Sequence, residues 1–110
     1  MTKPSRPRII LDTDPGVDDA IAIITAARWA DLVGITTVAG NVPVEHTTAN
    51  ALRLRDLLGL DVAVHRGADR PLEAEPLHAR HVHGAVGLGE VALPEPGRGP
   101  DSAGAVGVLV

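Results

Sequence analysis

Four aspartates lie within eight residues near the start of the chain, at Asp12, Asp14, Asp18 and Asp19. Like charges at this density repel one another, so a fold that gathers them must supply a cation, a proton or strong hydrogen-bond donors. Carboxylate oxygens are the ligands that calcium and magnesium prefer, whereas zinc favours nitrogen and sulfur. The cluster therefore predicts a site for a hard cation.

Acidic residues at the start of a helix also have an ordinary explanation. The N–H groups and dipole of a helix N-terminus favour negative charge, so Asp18 and Asp19 could simply stabilise a first turn. Asp12 and Asp14 precede that helix, and the alternation of side chains along a strand predicts that both point to one side. Stabilisation of a helix terminus therefore leaves half of the cluster unexplained.

The elements around the cluster predict a strand, a turn and a helix. Residues 8–11 form an apolar run typical of a short buried strand, and Pro15 with Gly16 indicates the turn. Residues 17–28 are predicted as a helix that is apolar nearly all round, which indicates that it is buried. In α/β proteins a ligand site commonly lies where such a strand ends.

The next segments predict two more strands with a helix between them. Residues 32–38 are too apolar for a strand with one face in water, which favours a central position in a parallel sheet. A helix is predicted over residues 43–59 and a third strand over residues 61–65. Two right-handed crossovers would place both helices on one face and leave the other face uncovered. We therefore predict an α/β fold, a βαβαβ unit followed by a loop-rich segment, with another helix after Asp101.

Polar residues of the second helix and second strand receive different interpretations. Arg53, Arg55 and Asp56 are predicted to form the solvated face of the helix, and Asn50 is interpreted as structural rather than ligand-binding. Asn41 follows the second strand, and the carboxyl ends of neighbouring parallel strands lie at one edge of the sheet. Asn41 should therefore approach the aspartates, although an Asn after a Gly also suits an ordinary turn.

Composition limits the classes of function. The chain has 110 residues, a net charge of -4, one aromatic residue and no cysteine. The acidic balance argues against a nucleic-acid or anionic membrane surface, and the absence of cysteine excludes disulfides and thiolate sites. Residues 1–7 are predicted to form a flexible tail without a signal-type apolar region, so a cytoplasmic location is the default expectation.

Three histidines stand among three glycines in residues 77–89. A His-x-His pair could hold zinc, but no third ligand stands at a recognisable spacing. We favour a glycine-hinged loop over the site, with His83 facing the substrate.

Two other known acidic motifs share features with the cluster. An EF-hand loop beginning at Asp12 fails, because its sixth and twelfth positions would be Val17 and Ile23. A haloacid-dehalogenase-type phosphatase also places Asp-x-Asp after an apolar strand. That motif usually has Thr or Val two residues after its second Asp, a position that is Gly16 here. The motif also does not explain the two aspartates at the start of the helix. A magnesium phosphatase therefore stays as an alternative.

Residues 12–20, Asp-Thr-Asp-Pro-Gly-Val-Asp-Asp-Ala, resemble the N-terminal signature of the inosine-uridine-preferring nucleoside hydrolases. Further segments match in the expected order, namely residues 34–41, 50–52, 67–68, 71–72 and 81–84. The first motif is long and the others keep its spacing, so the resemblance is specific. It implies a Rossmann-like open parallel sheet and hydrolysis of the N-glycosidic bond of ribonucleosides to ribose and free base.

The resemblance also implies roles for individual residues. Asp14 and Asp19 would bind Ca²⁺, and Asp14 would act as general base on a calcium-bound water. Asp12 would order the loop behind these ligands.

On the substrate side, Asp18 would hold ribose hydroxyls with Asn41 beside it. His83 would contact the base or relay a proton to it.

Members of this family are much longer, and the chain resembles roughly their first third. We therefore expect residues 8–110 to be the N-terminal part of a nucleoside hydrolase domain, inactive or weakly active alone. In the full-length context the family resemblance implies a homo-oligomer that acts on nucleosides. A non-catalytic fragment that binds only a cation or a partner chain is the third hypothesis.

Overall fold

The computed structural model describes residues 5–70, 72–73, 87–88, 93–97, 99–101 and 104–109. Its elements follow the chain as β1 (Arg8–Thr13), α1 (Val17–Trp29), β2 (Asp31–Thr37), α2 (Val44–Leu57), β3 (Ala63–His65) and α3 (Ala105–Leu109). Within these residues the strands form a parallel sheet in the order β1-β2-β3. The predicted βαβαβ unit with a central second strand is confirmed, and α3 supplies the helix expected after Asp101.

The core lies between the sheet and the two long helices. Both α1 and α2 contact β2, and they also contact each other, so they share one face of the sheet. Ile35 and Val64 are paired across β2 and β3, and with Ile23 of α1 they are fully buried. The core cluster consists of Ile23, Leu32, Ile35, Ala51, Leu52, Leu54, Val62 and Val64.

The prediction that α1 is buried is wrong. Ile23 is its one fully buried residue, whereas Val17, Ile21 and Ile24 are 44%, 63% and 44% exposed. The apolar surface of this helix is wider than the stripe that β2 and α2 cover, and a helix that is apolar all round needs neighbours on every side. Among the described residues, no helix is both long enough and apolar enough to span a membrane.

The predicted solvated face of α2 is also partly wrong. Arg55 is 2% exposed, and its guanidinium lies 3.0 Å from the carboxylate of Asp56. Arg53 pairs with Glu95 at 2.9 Å, and the exposed Asp56 accepts a hydrogen bond from the backbone N–H of Gly97 at 2.8 Å. The segment that carries Glu95 and Gly97 therefore lies across this side of α2. Long arginine stems pack under such a segment while their charged ends stay paired.

The sheet face opposite the helices is open only in part. Ile10 of β1 is 42% exposed and Val33 of β2 is 37% exposed, so β1 is half exposed rather than buried as predicted. Thr36, nearer the carboxyl end of β2, has no exposed surface. The uncovered face that the topology predicts is thus found along β1, where Arg8, Ile10 and Asp12 are exposed, and does not extend over Thr36.

Candidate functional site

The four aspartates occupy the connection from β1 to α1, residues 12–19, which we call the acidic turn. β1 extends two residues beyond its predicted end, so Asp12 lies in the strand and Asp14 follows it. Strand alternation therefore does not fix the direction of Asp14. Asp18 and Asp19 stand in the first turn of α1, and no side chain caps this helix.

Asp14 is held by the loop that follows β2. The backbone N–H of Asn41 donates to Asp14 Oδ2 at 2.8 Å, and Asn41 Nδ2 donates to the backbone carbonyl of Asp14 at 3.0 Å. Gly40 makes this approach possible, because a Cβ there would lie 2.7 Å from Asp14 Cγ and would overlap the carboxylate. The structure thus brings Asn41 to the acidic turn, as strand order predicted, while its role toward a substrate stays a prediction.

Asp19 turns back from α1 toward the end of β1. Its Oδ2 accepts hydrogen bonds from Thr13 Oγ1 at 2.7 Å and from the backbone N–H of Asp14 at 3.2 Å. Burial raises the pKa of Asp19 above its ordinary value, the neighbouring carboxyl groups of Asp14 and Asp18 raise it further, and the Thr13 hydroxyl opposes them. Ionised Asp19 therefore lies where a positive ligand would stabilise it.

The other two aspartates have simpler surroundings. Asp12 is exposed, and its Oδ1 accepts a hydrogen bond from Thr36 Oγ1 at 2.6 Å, which ties it to β2. Asp18 is exposed in the first turn of α1. Their proposed roles, ordering the loop and binding ribose, stay predictions, and His83 lies outside the described residues.

The described residues fit a hard cation in kind but not in number. They contain no group of three or more His, Cys, Asp or Glu side chains that could hold a metal ion. Asp14 and Asp19 offer at most about four carboxylate oxygens, whereas calcium takes roughly six to eight ligands. Within the same residues no ion pair involves the acidic turn. Its negative charge is therefore not neutralised by a basic side chain there.

Asn50, interpreted from the sequence as structural, makes a contact with the acidic turn that was not predicted. Asn50 is fully buried in α2, and its Nδ2 donates to the backbone carbonyl of Pro15 at 3.2 Å. Thirty-five positions separate the two residues, and no local pattern indicates such a contact. The available signal was the position of Asn50 at the start of one of the segments that carry the family resemblance.

Comparison with known sequences gives a consistent family. The family model described as inosine-uridine preferring nucleoside hydrolase matches residues 9–110. The pyrimidine-specific ribonucleoside hydrolase RihA of Shewanella baltica is 48% identical over 104 residues, which cover 92% of this chain and 33% of that protein. Uridine nucleosidase 1 of Arabidopsis thaliana is 46% identical over 95 residues, which cover 83% of this chain and 28% of that protein. The chain thus spans a third or less of the length of these relatives.

Solved structures show the same similarity in three dimensions. A plant nucleoside hydrolase superposes with a TM-score of 0.87 at 38% identity, over 96% of this chain and 35% of that one. A purine-preferring ribonucleoside hydrolase from Gardnerella vaginalis gives a TM-score of 0.82 at 34% identity, over 93% and 34% of the two chains.

Proposed function

Because the chain belongs to the inosine-uridine preferring nucleoside hydrolase family, we propose that it supplies the first part of a site for ribonucleoside hydrolysis. The reaction replaces the N-glycosidic bond with a C–O bond, giving ribose and free base. One observation supports this most directly: Asp14 contacts both Asp19 and Asn41 where β1 and β2 end, the edge at which α/β proteins bind ligands. Pyrimidine and purine preferences both occur in the names of similar proteins, so we propose ribonucleosides as the substrate class.

Asp14 is our candidate for the general base. The two hydrogen bonds from Asn41 fix its main chain and one carboxylate oxygen, which gives the carboxylate a defined direction. A carboxylate held in this way can take the proton of a water that attacks the anomeric carbon. The bond to the base breaks with oxocarbenium character at ribose, and the leaving base keeps the electron pair until it is protonated.

Asp14 and Asp19 are the residues that would hold calcium. The ion would supply positive charge between two carboxylates that repel each other and would lower the pKa of the attacking water. Thr13 and the N–H of Asp14 orient Asp19 for this purpose through its Oδ2. Calcium is the ion we propose because both residues offer only carboxylate oxygens, which are ligands that a hard ion prefers.

The remaining assignments follow the family resemblance. Asp18, exposed at the start of α1, would accept hydrogen bonds from ribose hydroxyls beside Asn41. Asp12 would steady the turn through Thr36, and His83 would contact the base. A homo-oligomer in the full-length context also stays a prediction.

The decisive assay measures products. Purified protein is incubated with uridine or inosine and, separately, with a phosphomonoester, and ribose and phosphate are quantified. Ribose release that falls by at least about 100-fold in Asp14→Asn would support the general base, since the amide keeps the shape but cannot accept the proton. Asp12→Asn, the matched control, should cost less.

Other outcomes decide between the hypotheses. Equal ribose release by Asp14→Asn and the parent protein would contradict the mechanism. Phosphate release would favour the magnesium phosphatase. Release of neither product would exclude catalysis by this chain alone and leave a cation-binding or partner-binding role.

A further inference from the structure

Two asparagine side chains hold successive carbonyl groups of the acidic turn. Asn41 Nδ2 donates to the carbonyl of Asp14, and Asn50 Nδ2 donates to the carbonyl of Pro15. The next carbonyl, that of Gly16, accepts the first hydrogen bond of α1. Three consecutive carbonyls therefore have donors, and two of these donors come from other parts of the fold.

The two asparagines reach the turn from different sides. Asn41 follows β2, whereas Asn50 lies in α2, and its side chain is fully buried. A buried carbonyl that loses its donor is left without a hydrogen bond and away from water, which is unfavourable, so the Pro15 carbonyl is held where Asn50 places it. The peptide between Pro15 and Gly16 is thereby tied to α2, while Asp14 is tied to the loop that follows β2.

Gly87 packs on the hydrogen bond between Asn50 and Pro15. Its φ of 100° suits glycine, and a Cβ there would lie 2.8 Å from Asn50 Nδ2 and 3.1 Å from the Pro15 carbonyl. Gly87 is itself buried. The backbone at Gly87 therefore lies directly against this hydrogen bond.

We propose that Asn50 is a positioning residue of the acidic turn, with Gly87 as its packing partner. By fixing the Pro15 carbonyl, Asn50 sets the place of the preceding residue, Asp14, relative to Asp19. A displacement of about 1 Å in such a group can reduce activity about 100-fold. The geometric part of this inference concerns the metal-free chain, and only its consequence for ligand binding rests on the proposed function.

The first test compares two variants of α2 in the full chain. Asn50→Ala removes the donor to Pro15, whereas Thr48→Val removes a different buried hydrogen bond, the 2.8 Å contact with Thr37. Amide hydrogen exchange is followed by NMR at Asn41 and Asp14, with Ile35 of the central strand as the reference for global opening. We expect exchange at Asn41 and Asp14 to rise at least about tenfold relative to Ile35 in Asn50→Ala alone.

A second pair of variants keeps the test decisive if Asn50→Ala does not fold. Gly87→Ala would push a methyl group against the same hydrogen bond, whereas Gly59→Ala strains a φ of 66° with no atom within 4 Å. The first should loosen the Asn41 amide and the second should not. The proposal would be overturned by equal effects in the test and control variants, or by no effect in either. It would also be overturned if both test variants unfolded while both controls stayed folded, because Asn50 would then contribute to general stability and not to the position of the turn.

The same amide signals test the consequence for a ligand. Calcium is titrated into each variant, and the affinity is taken from the shifts of Asn41 and Asp14. We expect binding at least about tenfold weaker in Asn50→Ala, with Thr48→Val unchanged. Altered exchange in a chain that binds no calcium would leave the positioning role and reject a cation site formed by these residues alone. Unaltered calcium affinity in a chain whose turn is loosened would reject the link between Asn50 and the site.

Discussion

The acidic turn and the outer side of α2 satisfy their charged groups in different ways. At the acidic turn, carboxylates accept hydrogen bonds from neutral groups, the hydroxyl of Thr13 and the backbone N–H of Asn41. On the outer side of α2, carboxylates pair with guanidinium groups, as Glu95 does with Arg53 at 2.9 Å. One region orients negative charge, and the other cancels it.

This difference distinguishes a region suited to bind a ligand, the acidic turn, from one that only holds segments together, the outer side of α2. A neutral donor fixes the direction of a carboxylate but leaves its charge, so the acidic turn keeps a negative field at defined positions. An ion pair on a protein surface contributes little beyond holding two segments together. The pattern of partners, more than the number of acidic residues, therefore indicates where a cationic ligand would bind.

The largest effect should come from filling the space that Gly40 leaves for Asp14. In Gly40→Ala the new Cβ would overlap the Asp14 carboxylate and displace it. We expect ribose release to fall about 100-fold, as for a misplaced catalytic group. Gly99→Ala, where no atom lies within 4 Å of the new Cβ, is the matched control. Equal and measurable ribose release by both variants would show that Asp14 does not need this position.

A smaller effect should follow from removing one charge of the turn. The pKa of Asp19 in the folded chain is raised from 3.8, chiefly by burial. The folded chain therefore holds this proton more tightly than the unfolded chain, and the resulting stabilisation is fully present below pH 3.8. This stabilisation is lost as pH rises through the folded pKa, above which the charge opposes folding. Asp19→Asn should therefore unfold at a higher temperature than the parent at pH 7 in chelator-treated buffer.

Circular dichroism at several pH values checks this prediction. The advantage of Asp19→Asn should shrink as pH falls and reverse when calcium is in excess, because the ion binds the parent carboxylate more tightly than the neutral amide. Asp61→Asn, a change at an exposed aspartate outside the acidic turn, serves as control. A lower unfolding temperature for Asp19→Asn at pH 7 without calcium would mean that its hydrogen bonds outweigh the repulsion.

The smallest effect is expected on the outer side of α2. Glu95→Gln removes the charged partner of Arg53, and the Glu95 side chain is 85% exposed. The free energy of unfolding should change by at most about 1 kcal/mol, and the difference should vanish in high salt. A larger, salt-independent loss in urea titrations would show that this ion pair does more than join two segments.

The order of elements could be predicted from the sequence because its signals are local. Apolar runs, Pro43 and Gly59 mark strands and helix ends without knowledge of the rest of the fold. Burial could not be predicted in the same way. The exposure of Ile21 and the burial of Arg55 depend on which distant segments pack against α1 and α2, and periodicity does not encode those neighbours.

The candidate site shows the same division. The aspartates and Asn41 could be placed together because strand order brings the ends of β1 and β2 to one edge. The roles of Gly40 and Asn50 could not, since each depends on an approach between segments far apart in sequence. The only sign in the sequence that backbone packs closely on the Asp14 carboxylate is the glycine at position 40. A glycine by itself predicts no more than a turn.

The exposed Trp29 has a practical consequence for every optical experiment on this protein. The chain has no tyrosine or phenylalanine, so its near-ultraviolet absorbance and its fluorescence come from this indole alone. Trp29 is 68% exposed at the last residue of α1, with the Arg28 guanidinium 5.3 Å from the centre of its ring. The 13 residues of α1 put it about 20 Å from the acidic turn. Its emission will follow fraying of that helix end and will be nearly silent to a ligand bound at the other.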